Sequence, residues 1–415
     1  MVVGLGYVGL PIALSLLADH SATGLDSSPR RLAAIRERRV DLLPEDLALL
    51  DGALSEGRFR LTDEPNVLEA ADAVLICVPT PVDDHLTPDL TALRAACATV
   101  VAHARAGQTI VLMSTTFVGT TRALLARPLE ERGFEIGRDV YVAFSPERMD
   151  PGRSEHASHR TPRVLGGMTS ACTTRADDVV ARLTDAEIHA VSSPEAAELT
   201  KLHENTFRAV NLALANEFAE ICSALRINPI EVIDAASTKP YGYLAHYPGP
   251  GVGGHCIPCD PHYLIWQLRA SRVATPLIEQ AMSGVAARPR RVIERLAEVL
   301  SGYGYGVAGA RVIIVGVAYK PGLADLRGSP ALEIISRLRG RGADVDYWDP
   351  LVATLQLPDG YEMKSRSAPL GQDYDLALVH TLQPGGTTAW LSDCPVVLDA
   401  TYRFEGAPGC QVYVV

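Results

Sequence analysis

The chain has 415 residues, 47 % of them hydrophobic and 21 % charged, with a formal net charge of −11. Single cores stop growing near roughly 250–300 residues, so two or three domains are expected. The acidic balance argues against nucleic acid as a partner, and beyond Met1–Ala18 no run approaches the roughly 18 apolar residues that span a membrane.

The chain opens on Val2-Val3, a strand cut short, and continues into Gly4-Leu-Gly-Tyr-Val-Gly9 and a helical run from Leu10 to Leu17. Met1 to Ala18 is apolar enough to pass for a signal peptide. It lacks a basic leading region, however, and its glycines and Pro11 suit a cofactor loop better. In such a loop Gly4 permits the tight turn, Gly6 lets a pyrophosphate approach, and Gly9 lets helix and strand pack. The helix N-terminus favours the phosphate charge. A second strand ends at Gly24-Leu25-Asp26, where a carboxylate can accept from ribose hydroxyls and repel a 2′-phosphate. NAD is therefore expected over NADP, although Arg30 and Arg31 follow closely.

Ala73 to Val78 and Thr109 to Met113 are continuous apolar runs, as in strands buried on both faces. Helical stretches lie between them, so a parallel, doubly wound sheet is expected over residues 1–190. Ser193, Pro194 and Glu195 then read as the cap and first turn of a long helix. Helical character continues to about Arg226 without glycine or proline. Some 30 residues make about 50 Å of helix, long enough to join domains and to form a subunit interface. Lys201 and Asn205 lie four apart on one face of it, where an ammonium and an amide can hold an oxyanion.

The stretch Tyr247-Pro-Gly-Pro-Gly-Val-Gly-Gly-His-Cys-Ile-Pro-Cys-Asp-Pro261 sets Cys256 in a glycine- and proline-rich turn, with Asp260 four residues on. Glycine lets a ligand approach the main chain, proline stiffens the turn, and a thiol presented there is a candidate nucleophile. Eight scattered cysteines point to a reducing, cytoplasmic setting rather than a disulfide scaffold. Cys256 and Cys259 form a Cys-x-x-Cys pair with no second pair to complete a zinc site, so no metal is expected. Residues 191–300 read as a central helical region that carries this loop. From about Ala308 the strand pattern restarts, with Arg311–Val317, Ala343–Asp349, Asp375–Val379 and Pro395–Asp399. From about Ala308 onward no Gly-x-Gly-x-x-Gly recurs, so a second dinucleotide is not expected in that block, residues 301–415.

Eight segments together carry a resemblance. They are the glycine loop through Pro11, Val78-Pro-Thr-Pro81, Pro88-Asp89-Leu90, Ser114-Thr-Thr-Phe-Val-Gly-Thr120, and Ser145-Pro-Glu-Arg-Met-Asp-Pro-Gly152. Glu198-Leu-Thr-Lys-Leu-His-Glu-Asn205, the cysteine loop, and Lys320-Pro-Gly-Leu-Ala-Asp-Leu-Arg-Gly-Ser-Pro330 complete the order. The chain thereby resembles the UDP-glucose/GDP-mannose dehydrogenase family.

That resemblance implies an α/β chain of two Rossmann-like doubly wound domains joined by a long central helix, working as a homodimer. It implies a four-electron oxidation of a sugar C6 hydroxyl to a carboxylate, with Cys256 forming a thiohemiacetal and then a thioester. Lys201 and Asn205 would hold the oxyanion, and Glu147, Asp260 and Thr115 would handle water and protons. NAD contacts are implied at Gly4, Gly6, Tyr7, Val8, Gly9, Asp26, Arg31, Pro79 and Thr80. UDP-sugar contacts are implied at Glu147, Arg148, Lys201, Asn205, Tyr247, Gly254, Lys320 and Arg327. Arg327 reads equally well as a structural salt-bridge partner. The form Gly-Gly-His-Cys-Ile-Pro is similar to the branch acting on UDP-N-acetylhexosamines, with UDP-N-acetylglucosamine as the best match and the mannosamine and galactosamine enzymes close behind. UDP-glucose oxidation and a non-catalytic sugar-nucleotide sensor are the alternatives.

Overall fold

The computed structural model describes residues 1–17, 21–40, 42, 44–148, 160–367, 369–406 and 409–415. The chain divides into two compact units, one of Met1–Glu204 with His262–Arg272, the other of Asn205–Pro261 with Val273–Val415.

The first unit is built on β1 (Val2–Val3), β2 (Ala22–Leu25), β3 (Phe59–Thr62), β4 (Ala73–Ile76), β5 (Thr109–Leu112), β6 (Tyr141–Phe144), β7 (Arg163–Gly167) and β8 (Ile188–Val191). Among the described residues these form one sheet in the order β3-β2-β1-β4-β5-β6-β7-β8. The apolar runs become central strands because both faces are covered. In β5, Val111 joins the core with Leu10 and Leu14, while Ile110 and Leu112 join the opposite core with Phe144. The order reverses between β1 and β4, and ligands of open parallel sheets bind beyond the strand ends at such a point. All described neighbours are parallel except β6 with β7. The sheet is otherwise the parallel, doubly wound one read from the sequence, and that reading did not foresee this one reversal.

The second unit holds β9 (Arg311–Val315), β10 (Asp344–Trp348), β11 (Thr354–Gln356), β12 (Glu362–Lys364), β13 (Leu376–Val379), β14 (Val396–Asp399) and β15 (Gln411–Val414). Five of them form a parallel sheet in the order β10-β9-β13-β14-β15, and β11 pairs with β12 as a hairpin. The edge strand β15 and the hairpin escaped the sequence reading because their side chains are mostly exposed or half-buried and give no continuous apolar run.

The long helix spans Pro194–Leu225, and the Ser193 hydroxyl accepts from the Ala196 amide as its cap. A second helix, Cys256–Ala270, corrects the reading of Cys256 as a turn residue. Cys256 is the first residue of that helix. Pro258 falls in the first turn, where amide donors have no intrahelical acceptor, so the helix tolerates it; Pro261 forgoes one helical bond.

Candidate active site

The glycine loop follows β1. Gly4 takes φ +86, and a Cβ there would lie 2.6 Å from the Cys77 carbonyl oxygen, so the loop packs tightly on the end of β4. A Cβ at Gly9 would overlap the Gly4 carbonyl oxygen, whereas one at Gly6 would meet nothing within 4 Å. The backbone is thus closed at its ends and open at its middle. Asp26 is fixed at the end of β2, with one carboxylate oxygen accepting from Leu5 N (2.8 Å) and the other from Ser28 N (2.9 Å). Arg31 Nε donates to the Leu5 carbonyl at 2.7 Å. Tyr7 and Val8 lie between Gly6 and the helix that starts at Gly9. An open cradle at a helix N-terminus beside a fixed carboxylate fits the pyrophosphate and ribose of a dinucleotide.

Three loops leave the ends of β4, β5 and β6. Ser114 Oγ accepts from Val78 N (2.9 Å) and donates to the Val78 carbonyl (2.8 Å), joining the first two. Pro79 follows, and the buried Thr80 hydroxyl donates to the Thr115 carbonyl at 2.7 Å. The Tyr263 hydroxyl donates to the Thr80 carbonyl at 3.0 Å. Glu147, just past β6, is buried; its Oε1 accepts from Arg148 N (2.9 Å) and its Oε2 from Arg163 Nη2 (2.9 Å). Arg148 pairs with Glu204 and donates to the Pro162 carbonyl at 2.7 Å. Residues 149–152 of the nominated Ser145–Gly152 segment lie outside the described residues.

Lys201 is buried on the long helix, one turn after Glu198. Glu198 accepts from Thr121 N (2.8 Å), Thr121 Oγ1 (2.7 Å) and Gly119 N, which ties the helix to the segment that follows Thr115. Burial pushes the Glu198 carboxyl up, and these donors oppose it. The sequence reading did not single out Glu198. Its position three residues before Lys201, on the same helix face, was the available signal.

In the second unit, Cys256 is exposed at the start of its helix and Cys259 is half-buried one turn later. The positive end of the helix favours negative charge at Cys256. Asp260, one turn into the cysteine helix, is buried and accepts from Asn205 Nδ2, so the Asn205 amide and the start of that helix are brought together. Burial, and then the Arg327 guanidinium, push the His255 imidazole below its ordinary value, so it is neutral near pH 7. Gly254 N donates to the Arg327 carbonyl at 2.9 Å. A Cβ at Gly253 would lie 2.5 Å from Tyr319 Cβ, which requires glycine where the loop packs on the 319–330 segment. Arg327 itself pairs with Asp325, with Nε 3.0 Å from each carboxylate oxygen. Lys320 sits half-buried on the same segment. Tyr247 donates to Asp234 at 2.7 Å and lies under the Arg403 guanidinium, 4.3 Å from the ring centre.

Two loop anchors were missed. Asn216 Oδ1 accepts from Gly249 N (3.0 Å), and the buried Arg288 donates to the Gly249 carbonyl (2.9 Å), to Glu220 (3.2 Å) and to the Tyr402 hydroxyl (2.7 Å). Both contacts join residues more than 30 positions apart, and no local pattern marks them.

Family models match almost the whole chain. The NAD binding domain of the UDP-glucose/GDP-mannose dehydrogenase family matches residues 1–184, its central domain 195–284, and its UDP binding domain 313–399. The chain is 36 % identical over 346 residues to an NDP-N-acetyl-D-galactosaminuronic acid dehydrogenase of Ralstonia solanacearum, covering 80 % of this chain and 78 % of that one. It is 32 % identical over 388 residues to a UDP-N-acetyl-D-glucosamine 6-dehydrogenase of Pseudomonas aeruginosa, covering 92 % and 90 %. Its fold is similar to the solved UDP-D-ManNAc dehydrogenase of Pyrococcus horikoshii, with TM-score 0.90, 29 % identity, and coverage of 100 % and 99 %.

Proposed function

The chain belongs to the UDP-glucose/GDP-mannose dehydrogenase family and is an NAD-dependent nucleotide-sugar dehydrogenase; from that membership we propose that it oxidises the C6 hydroxyl of a UDP-N-acetylhexosamine, best matched by UDP-N-acetylglucosamine, to the carboxylate. The observation that carries this reading is Cys256, exposed at the start of a helix that holds Asp260, one turn on, against Asn205. The names of the three relatives above, each specifying an N-acetylhexosamine or its uronic acid, support the substrate branch. So does the Gly-Gly-His-Cys-Ile-Pro loop.

When bound, NAD supplies the hydride acceptor for both oxidation stages, and the glycine loop with Asp26, Arg31, Pro79 and Thr80 would hold it. The Cys256 sulfur adds to the C6 aldehyde carbon, because a trigonal aldehyde carbon cannot give up a second hydride until it becomes tetrahedral. Lys201 and Asn205 stabilise the resulting oxyanion. Oxidation of that adduct gives a thioester. Water then attacks the thioester carbon, the C–S bond breaks, and the Cys256 sulfur leaves as the thiol. Glu147 and Asp260 handle the water and its proton, with Thr115 beside them in the sequence motif set. Lys320 and Arg327, with Tyr247 and Gly254, contact the nucleotide-sugar. We further assign a homodimer in a reducing, cytoplasmic setting. The dimer is supported by the exposed Phe207, Leu214 and Ile221 at seven-residue spacing along the long helix.

The test is NADH formed per sugar consumed, with UDP-N-acetylglucosamine, UDP-N-acetylmannosamine, UDP-N-acetylgalactosamine and UDP-glucose in parallel. Two NADH per N-acetylhexosamine are expected, and Cys256→Ser should release no acid. Turnover of UDP-glucose alone would overturn the substrate assignment. A Cys256→Ser protein forming acid at the wild-type rate would overturn the cysteine mechanism.

A further inference from the structure

We propose that Arg163 is a positioning residue for thioester hydrolysis, holding the Glu147 carboxylate in the orientation that step needs. The inference rests on the role assigned to Glu147 above.

Arg163 opens β7, and its side chain is only 1 % exposed. Among the described residues, β6 and β7 are the one antiparallel pair in the large sheet, with Ala143 opposite Gly167 and Phe144 opposite Gly166. Extending that register three residues beyond Phe144 brings Glu147 opposite Arg163. The strand reversal therefore sets a guanidinium across from the carboxylate, a juxtaposition a parallel neighbour entering from the other end would not give. The contact is made: Arg163 Nη2 lies 2.9 Å from Glu147 Oε2. The Arg148 amide holds the other oxygen at 2.9 Å. Two donors on different oxygens fix both the plane and the tilt of the carboxylate. A buried carboxylate also needs a compensating charge, and the rigid guanidinium supplies it with directed donors.

In the hydrolytic step the water oxygen bonds to the thioester carbon, one water proton passes to the base, and the departing Cys256 sulfur is reprotonated. No electrons are transferred. A misoriented Glu147 should slow this step and leave the two oxidations before it intact. A purely structural Arg163 would slow every step together.

The experiment compares wild type, Glu147→Gln, Arg163→Met and Arg163→Lys, mixed with NAD and UDP-N-acetylglucosamine and quenched in acid. NADH in the first turnover is followed by stopped flow, and adducts on the intact protein by mass spectrometry. Arg163→Lys keeps the buried charge and guards against a variant that fails to fold. The expected result is two NADH per active site in the first turnover for both Arg163 variants, then steady-state turnover reduced up to roughly 100-fold in Arg163→Met. The acyl adduct accumulates as it does in Glu147→Gln, and Arg163→Lys recovers part of the rate. Wild-type turnover in both Arg163 variants would overturn the proposal. So would equal losses in first and later turnovers without adduct, while Glu147→Gln accumulates it. A Glu147→Gln protein without adduct would instead overturn the role of Glu147, and the proposal with it.

Discussion

Burial governs the chemistry of two histidines in the second unit. His255, directly before Cys256, is held neutral by burial and by Arg327, so it adds no positive charge beside the thiol at neutral pH. His380, just past β13, is buried; its Nδ1 faces Thr381 Oγ1 at 2.9 Å, and its Nε2 finds no partner among the described residues. Burial pushes its imidazole down to about 3, against 6.5 in the unfolded chain. Because the folded value is depressed, this contribution to stability is whole above the unfolded value and is lost as pH falls from 6.5 towards 3. The slope is at most about 1.4 kcal/mol per pH unit. Urea unfolding of wild type and His380→Asn at pH 7.5 and 5.0 checks this. Wild type should lose about 2 kcal/mol more than the variant over that interval. Equal losses would contradict a buried neutral His380.

At the scale of elements, the cysteine helix and its glycine-rich approach depend on long-range anchors. Arg288 donates to Gly249, Glu220 and Tyr402 from within a helix spanning Pro276–Gly302, and Asn216 holds Gly249 from the long helix. Arg288→Met removes all three Arg288 bonds. Glu220 is half exposed and can be resolvated, so the penalty comes mainly from the Gly249 carbonyl and the Tyr402 hydroxyl. The expected loss is about 1–3 kcal/mol in chemical denaturation, with kcat falling as the loop loosens. An unchanged midpoint and unchanged kcat would show that the loop holds itself. The antiparallel β6–β7 pair acts at the same scale, since it sets Arg163 opposite Glu147.

For the molecule as a whole, the division into two units falls inside the long helix, between Glu204 and Asn205. Beyond that division the helix keeps large apolar side chains in solvent, including Leu214 at 59 % exposure. Side chains seven apart on a helix lie on nearly the same face, and a continuous apolar face is a common interface between copies of one chain. The expected outcome is a dimer in analytical ultracentrifugation at micromolar concentration. Leu214→Glu with Ile221→Glu should yield a folded monomer. A wild-type monomer, or an undisturbed dimer in the double variant, would place the interface elsewhere or remove it.

What the sequence determined by itself was local. The glycine loop, the Asp26 strand end, the Ser193 cap and the apolar runs each report on a few neighbouring residues, and hydrogen bonding and periodicity act over that range. Cys256, Lys201 and Asn205 stood out for the same reason, since short motifs carry them. The start of the cysteine helix was misread because Pro258 signals a turn as readily as a helix start and Pro261 argues against a helix continuing through it. Tertiary structure alone decided that Arg163 faces Glu147, that Glu198 secures the 119–121 backbone, and that Arg288 and Asn216 hold Gly249. Those pairings depend on strand direction, register and burial, which are fixed when distant segments pack together and leave no periodic trace along the chain.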